Sequence, residues 1–307
     1  MQENKIYDVL IIGAGPAGLT AAVYLSRNGT DVAFIEGYMP GGKMAEQSKI
    51  ENYPGFNLVS GIELSTRMLN QAKENGAQFI YGFVNNIETE NELKKITLNN
   101  GNIYYSKFVI IATGMKNLVP KTVINIEKFR NKGVSYCVLC DGALYKNKEC
   151  AIIGGGNSAF EEGAYLASMA SKVYVFIRDG IIAEKRLVED LKKLDNVEIL
   201  ENSEILELYG ENELDGLKAK VNNEEKEFKE IKAVFPYIGF KPATEFLNNK
   251  NLLNERGFII VNDEMETLEN NIFAIGDVTV KSVRQITTAT NDGTIAAKVI
   301  NSRLSKK

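Results

Sequence analysis

Two glycine-rich strand–turn–helix units of identical spacing predict an α/β chain containing two βαβ dinucleotide-binding folds, one after the other. A third observation adds redox chemistry: a C-x-x-C at Cys137 and Cys140 in a chain that has no histidine. The first unit begins with the apolar run Ile6–Ile12, which reads as a strand and feeds into Gly13-Ala14-Gly15-Pro16-Ala17-Gly18. A helix is expected over 19–28 and a second strand over 30–35, ending at Glu36. Glycines at these positions allow a tight turn and let a pyrophosphate approach the helix N-terminus, where backbone N–H groups favour anions. Glu36 stands 23 positions after Gly13, the place of a carboxylate that accepts from an adenosine ribose.

The second unit repeats the first. Strand Glu149–Ile153 runs into Gly154-Gly155-Gly156-Asn157-Ser158-Ala159, with a helix expected over 160–170 and strand Lys172–Ile177 after it. The distance from Gly154 to Ile177 is again 23 positions. Between the units, 61–76 has the pattern of an amphipathic helix, and 78–98 reads as short strands with a turn at 90–92. A buried strand is expected over 108–112, followed by Thr113-Gly114, and late strands over 258–261 and 272–275.

Composition narrows the function. The chain of 307 residues carries 36 Lys+Arg against 40 Asp+Glu, a net charge of −4, with no long basic run. That balance argues against nucleic-acid binding through phosphate neutralisation. The apolar runs are far shorter than the roughly 20 residues needed to cross a bilayer, so no membrane association is expected. Met1-Gln2-Glu3-Asn4 carries an acid and no signal-peptide core, and the expected location is the cytoplasm. Without histidine, imidazole catalysis and histidine-ligated zinc are excluded. Three cysteines are too few for a disulfide scaffold, and one C-x-x-C lacks the second ligand pair of a structural zinc site, so no metal is expected.

Seven motifs in order carry a family resemblance: GAGPAG at 13–18, PGG at 40–42, ENYPG at 51–55, ATG at 112–114, CVLCDG at 137–142, GGGNSAFEE at 154–162 and GDVTVKSVRQ at 276–285. On these the chain resembles the low-molecular-weight thioredoxin reductases along nearly its whole length. The resemblance implies an α/β protein with two Rossmann-like domains, the second inserted into the first. An FAD domain would comprise 1–116 and 243–307, and an NAD(P)-binding-like domain carrying the C-x-x-C would comprise 117–242. It further implies that Gly13, Gly15, Ala17 and Gly18 cradle the FAD pyrophosphate and Glu36 the ribose. Gly37, Gly41, Gly42, Lys43, Asn52, Thr113, Gly114, Asp277, Arg284, Gln285 and Ile286 complete the FAD set. Lys43 stands where the family usually has Gln, and its side chain is expected to point into solvent.

The same resemblance implies a two-electron relay from a donor through FAD to a Cys137–Cys140 disulfide, and from there to a thioredoxin-like protein by thiol exchange. Cys140 would face the flavin, Cys137 would attack the substrate, and Asp141 would donate the proton to the departing thiolate. Cys150, inside strand Glu149–Ile153, is read as structural. Rotation of the inserted domain about crossings at 116–118 and 239–242 is expected, as is a homodimer.

The electron donor is where the chain departs from the family. Gly154, Gly156, Asn157, Ser158 and Ala159 keep a pyrophosphate loop, but the usual His-Arg-Arg is Phe176-Ile177-Arg178, and the later arginine is Ile182. Isoleucine neither accepts from ribose hydroxyls nor neutralises a phosphate. Three donors fit this pattern: NADPH held through Arg178 and Arg186, NADH, or a protein such as ferredoxin. The intact phosphate loop places a nicotinamide first. A dithiol oxidase and a flavin-based redox sensor are the competing functions; in the former, a histidine near the cysteines is usual, and this chain has Asp141.

Overall fold

A computed structural model of the chain describes residues 5–47 and 49–306, so the N-terminal segment 1–4 read above lies outside the described residues. The chain forms β1 (Ile6–Ile12), α1 (Pro16–Ser26), β2 (Val32–Glu36), α2 (Gly61–Glu74), β3 (Gln78–Tyr81), β4 (Val84–Glu90), β5 (Leu93–Leu98), β6 (Ile103–Ile111) and β7 (Met115–Asn117). It continues through α3 (Val138–Asp141), β8 (Glu149–Ile153), α4 (Asn157–Ala167), β9 (Lys172–Ile177), α5 (Lys185–Lys192), β10 (Val197–Glu201), β11 (Ser203–Tyr209), β12 (Gly216–Val221), β13 (Glu224–Lys229), β14 (Ile231–Pro236) and β15 (Phe240–Pro242). β16 (Ile272–Ala274) and α6 (Ile286–Ser305) complete it.

The residues divide into two compact units. The first takes the described chain before Asn117 and from Lys241 onward, and the second spans Asn117–Phe240. In the first unit β1 is buried on both faces beyond Asp8, with Val9, Leu10 and Ile11 fully covered, which is why 9–12 reads as a continuous apolar run. Parallel pairing orders β3-β2-β1-β6. β6 serves two partners: its first half pairs antiparallel with β5, and Val109–Ile111 pairs parallel with β16. The carboxyl ends of β3, β2, β1, β6 and β16 therefore lie in one row. α1 starts at Pro16, whose fixed φ and missing N–H suit the first helical turn, three residues before the expected start. α2 is capped by Ser60, which accepts from the Glu63 amide at 3.2 Å.

α6 was not foreseen as a helix, and it fixes this unit. A Cβ on Gly293 would lie 2.4 Å from the Ala17 carbonyl, so the missing side chain lets α6 approach α1. The expected strand over 258–261 does not form. Ile259 makes isolated bridges to Leu253 and Thr279, while the Asn254 side chain accepts from the Phe258 amide at 3.0 Å and turns the chain away.

In the second unit the parallel sheet runs β10-β9-β8-β14. β11-β12-β13 form an antiparallel meander that the sequence did not announce, because β13 (EEKEFK) is exposed along nearly its whole length and has no apolar alternation. Cross-strand opposite charges support it instead, with Lys218 facing Glu227 and Lys220 facing Glu225. The connections β7 and β15 pair with each other. Glu245 holds Lys116 from one and Lys241 from the other, at 2.5 and 2.9 Å.

Candidate active site

The row of strand ends in the first unit presents its loops to one side. Gly13 has φ +106°, and a Cβ there would lie 2.4 Å from the Ala112 carbonyl; one on Gly18 would lie 2.1 Å from the Gly13 carbonyl. These two glycines let the chain turn and pack. Gly15 differs: a Cβ there would meet nothing within 4 Å, so its bare backbone faces open space at the start of α1. The Gly41 amide donates to the Ala14 carbonyl at 2.8 Å, and a Cβ on Gly42 would sit 3.4 Å from the Gly15 Cα. Two backbone loops thus frame one cradle. Ala17 is 5% exposed, and a Cβ on Gly276 would lie 2.9 Å from its methyl, so Ala17 seats α1 rather than lining the cleft.

Glu36 ends β2 with its carboxylate held by three amides: Ala14 at 3.0 Å, and Gly37 and Tyr38 at 2.9 Å each. Thr113 donates to the Ala243 carbonyl at 2.8 Å, closing the turn after β6, and Gly114 follows at φ +60°.

Asp277 lies beyond β16, at the far end of the row. Its Oδ1 is buried with no hydrogen-bond partner among the described residues. Burial pushes its carboxyl up, against the attraction of Lys281, Arg284 and Lys43. The loop is anchored from α6, where the buried Asp292 accepts from the Gly276 amide at 2.9 Å and from Lys281. Arg284 lies over the Phe258 ring at 4.3 Å, and Asn52 donates to the Gln285 side chain at 3.2 Å. Ile286 packs beside the cluster of Met44, Ile50, Val59 and Leu64. Lys43 departs from its expected orientation: its side chain is 31% exposed, its Nζ lies 3.8 Å from Glu46, and burial lowers its pKa. The 3-10 turn after Gly41 folds it inward.

In the second unit Cys137 and Cys140 are disulfide-bonded with their Cα atoms 5.3 Å apart. Cys137 caps the single turn α3, and its Sγ accepts from the Cys140 amide at 3.1 Å. Ser135 and Tyr237 hold the entry to that turn, the Ser135 hydroxyl accepting from the Cys137 amide at 3.2 Å and the Tyr237 hydroxyl from the Val138 amide at 3.2 Å. Cys140 is exposed, whereas Cys137 and Asp141 are half-buried. Cys150 is fully buried, and burial, with Glu149 nearby, pushes its thiol up to about 12.

A dinucleotide-type cradle and a redox disulfide in one chain meet their counterpart in known proteins. The family model described as pyridine nucleotide-disulphide oxidoreductase matches residues 7–293. The chain belongs to that family. It is 49% identical over 309 residues to the thioredoxin reductase of Mycoplasmopsis pulmonis, covering all of both chains. Against the thioredoxin reductase of Bacillus subtilis it is 45% identical, covering 98% of this chain and 95% of that one. The solved thioredoxin reductase of Lactococcus lactis superposes with a TM-score of 0.89 at 36% identity, covering 98% of this chain and all of that one.

As a flavoprotein of the thioredoxin reductase type, the oxidoreductase requires FAD. The residues present fit it: open space at Gly15, a carboxylate at Glu36 with acceptor capacity to spare, and an orphaned buried oxygen at Asp277.

The second unit of this oxidoreductase repeats the cradle. Gly154, at φ +145°, would place a Cβ 2.4 Å from the Tyr237 carbonyl, as Gly13 does against Ala112. A Cβ on Gly156 would meet only Ile182, at 4.0 Å, as Gly15 stands open. Asn157 begins α4 and exchanges hydrogen bonds with Glu184, its side chain accepting from the Glu184 amide at 2.9 Å. Ser158 follows it in the first turn, and Ala159 is fully buried. Ile177 is 1% exposed, so the position equivalent to Glu36 takes no part in reading a ribose. Arg178 follows it and pairs with Asp179 at 2.6 Å. An open depression of about 520 Å³ adjoins Arg178, lined also by Asn202, Ser203, Glu204, Lys220, Asn222 and Asn223. Lys220 is a basic residue that motif reading missed, since it joins this lining only through the β11–β12 pairing, which sets it opposite Glu204. Arg186, on α5, is not among the lining residues.

Proposed function

We propose that the enzyme takes electrons from a nicotinamide dinucleotide bound in the second unit and delivers them to the disulfide of a thioredoxin-like protein. The supporting observation is the repeated cradle: Gly154 and Gly156 reproduce the geometry of Gly13 and Gly15 position by position. Gly154 keeps the turn, and Gly156 keeps the open backbone that a pyrophosphate needs. The depression holding Arg178 and Lys220 supports the same reading, since both are cations able to approach a phosphate.

The bound flavin supplies two-electron redox chemistry between the donor and the Cys137–Cys140 disulfide. Once the disulfide is reduced, the Cys140 amide pointing at Cys137 Sγ favours the thiolate at Cys137. That thiolate attacks one sulfur of the partner's disulfide, forming a mixed disulfide and releasing the partner's other sulfur as a thiolate. The Cys140 thiolate then attacks Cys137 Sγ, breaking its bond to the partner, releasing the partner's second sulfur as a thiolate and restoring the Cys137–Cys140 bond. Asp141, adjacent to Cys140 on α3, supplies the proton to the departing thiolate. Because one disulfide must serve both the flavin and a bulky protein, the cycle requires the second unit to take two orientations about β7 and β15.

The loss of the arginines at 177 and 182 favours a second reading, in which reduced ferredoxin is the donor. Anaerobic flavin absorbance, titrated in parallel with NADPH, NADH and reduced ferredoxin, separates the two. Bleaching by a nicotinamide, followed by recolouring on addition of an oxidised thioredoxin, is the expected result. Bleaching by ferredoxin alone would overturn it.

A further inference from the structure

The order of groups along the first unit's strand ends fixes which way a bound FAD runs. Its pyrophosphate belongs at Gly15, after β1, and its ribityl end at Asp277, beyond β16; the adenosine ribose belongs at Glu36, after β2. Strands lie about 4.8 Å apart, so the next group outward, the adenine, falls over the end of β3. Two aromatic side chains meet there. Tyr38 follows Glu36 by two residues and is 75% exposed, and Phe83 follows β3 and is 36% exposed. Their rings stand 4.8 Å apart between centroids at 83°, forming a right-angled corner. The corner is built rather than incidental. The Gly82 amide donates to the Glu36 carbonyl at 3.0 Å, tying the two loops together, and a Cβ on Gly37 would lie 2.5 Å from the Phe83 ring. The Glu36 carboxylate itself accepts from the Tyr38 amide, so the ribose reader and the aromatic wall are one unit.

We propose that Tyr38 and Phe83 hold the adenine of FAD, one ring stacking on the base and the other meeting its edge. The proposal rests on the FAD site described above. A planar base suits such a corner because every base offers a π-face, and stacking on an aromatic side chain is a substantial contribution to nucleotide affinity.

The test uses apoprotein reconstituted with FAD, with ADP (adenosine and no flavin) and with FMN (flavin and no adenosine), followed by quenching of flavin fluorescence or by calorimetry. Tyr38→Ala and Phe83→Ala are each expected to weaken FAD and ADP by the same factor, on the order of 10- to 100-fold. FMN affinity should change less than twofold, and Tyr38→Phe should retain FAD as the wild type does. Equal losses for FMN and FAD would mean that the substitutions damage the fold, and would overturn the proposal. Unchanged FAD affinity would also overturn it; if the oligomeric state shifts at the same time, the patch is an interface between copies of the chain. Failure of the wild type to bind FAD at all would instead overturn the cofactor assignment.

Discussion

Glu36→Gln is the most informative single substitution in the first unit. A carboxylate has about four acceptor positions. Here three are filled by the amides of Ala14, Gly37 and Tyr38, two on Oε1 and one on Oε2. One position on Oε2 remains for a ribose hydroxyl. In glutamine the oxygen keeps Gly37 and Tyr38, while the NH2 meets two donors, the Ala14 amide and the hydroxyl. The Ala14 bond is lost with or without ligand, so it weakens the fold, by about 1–3 kcal/mol for an unpaired, partly buried donor. The hydroxyl bond is lost only in the complex. A hydrogen bond to a charged acceptor is worth about 1.5–3 kcal/mol, which corresponds to about a 10- to 150-fold weaker FAD affinity. Reconstitution of apoprotein with FAD measures the affinity, and thermal melting of the apoprotein measures the fold. An FAD affinity within threefold of wild type would refute the placement of the ribose at Glu36.

The remaining predictions concern the second unit and the chain connections. After reduction of the native protein at pH 8, Cys137 and Cys140 should alkylate readily; Cys150, its thiol pushed up to about 12 from an ordinary 9.0, offers ~1,000-fold less thiolate and should stay unlabelled by mass spectrometry. Labelling of Cys150 at a comparable rate would show that its strand opens. For Glu245, burial raises the carboxyl, but hydrogen bonds from Lys116 and Lys241 outweigh it and bring the pKa down to about 2. A depressed carboxylate stabilises above its unfolded value of 4.5 and loses that contribution as pH falls toward 2, so Glu245→Gln should flatten the acid unfolding profile of the wild type in that window. An identical profile would show that the exposed pairs contribute nothing measurable. Lys220→Ala should raise the KM for NADPH about tenfold and leave that for NADH within twofold, because only NADPH carries a phosphate beyond the pyrophosphate. Equal effects on both would remove the depression from the nucleotide site.

What the sequence determined by itself is local. The turn at Gly13–Gly18, its repeat at Gly154–Ala159 and the C-x-x-C are short motifs whose backbone freedom and chemistry are written into residue type, although Ala112 and Tyr237, which pack on them, come from far along the chain. Strand β1 and strands β8 and β9 were legible to the residue because parallel strands buried on both faces are rich in apolar residues, with charge confined to their first positions. Tertiary structure decided the rest. The meander β11–β13 was hidden because cross-strand charge pairs, not an apolar stripe, hold its exposed edge strand. Lys43 is folded inward by its 3-10 turn, and the fold brings Asp277, more than two hundred positions later, near enough for its charge to act on Lys43. Tyr38 met Phe83, and Lys220 met the surroundings of Arg178, through strand pairings that no local pattern encodes. Chemistry carried on a single turn can be read along the chain, whereas a site assembled by several strand ends exists only once sheet order and register have placed those ends side by side.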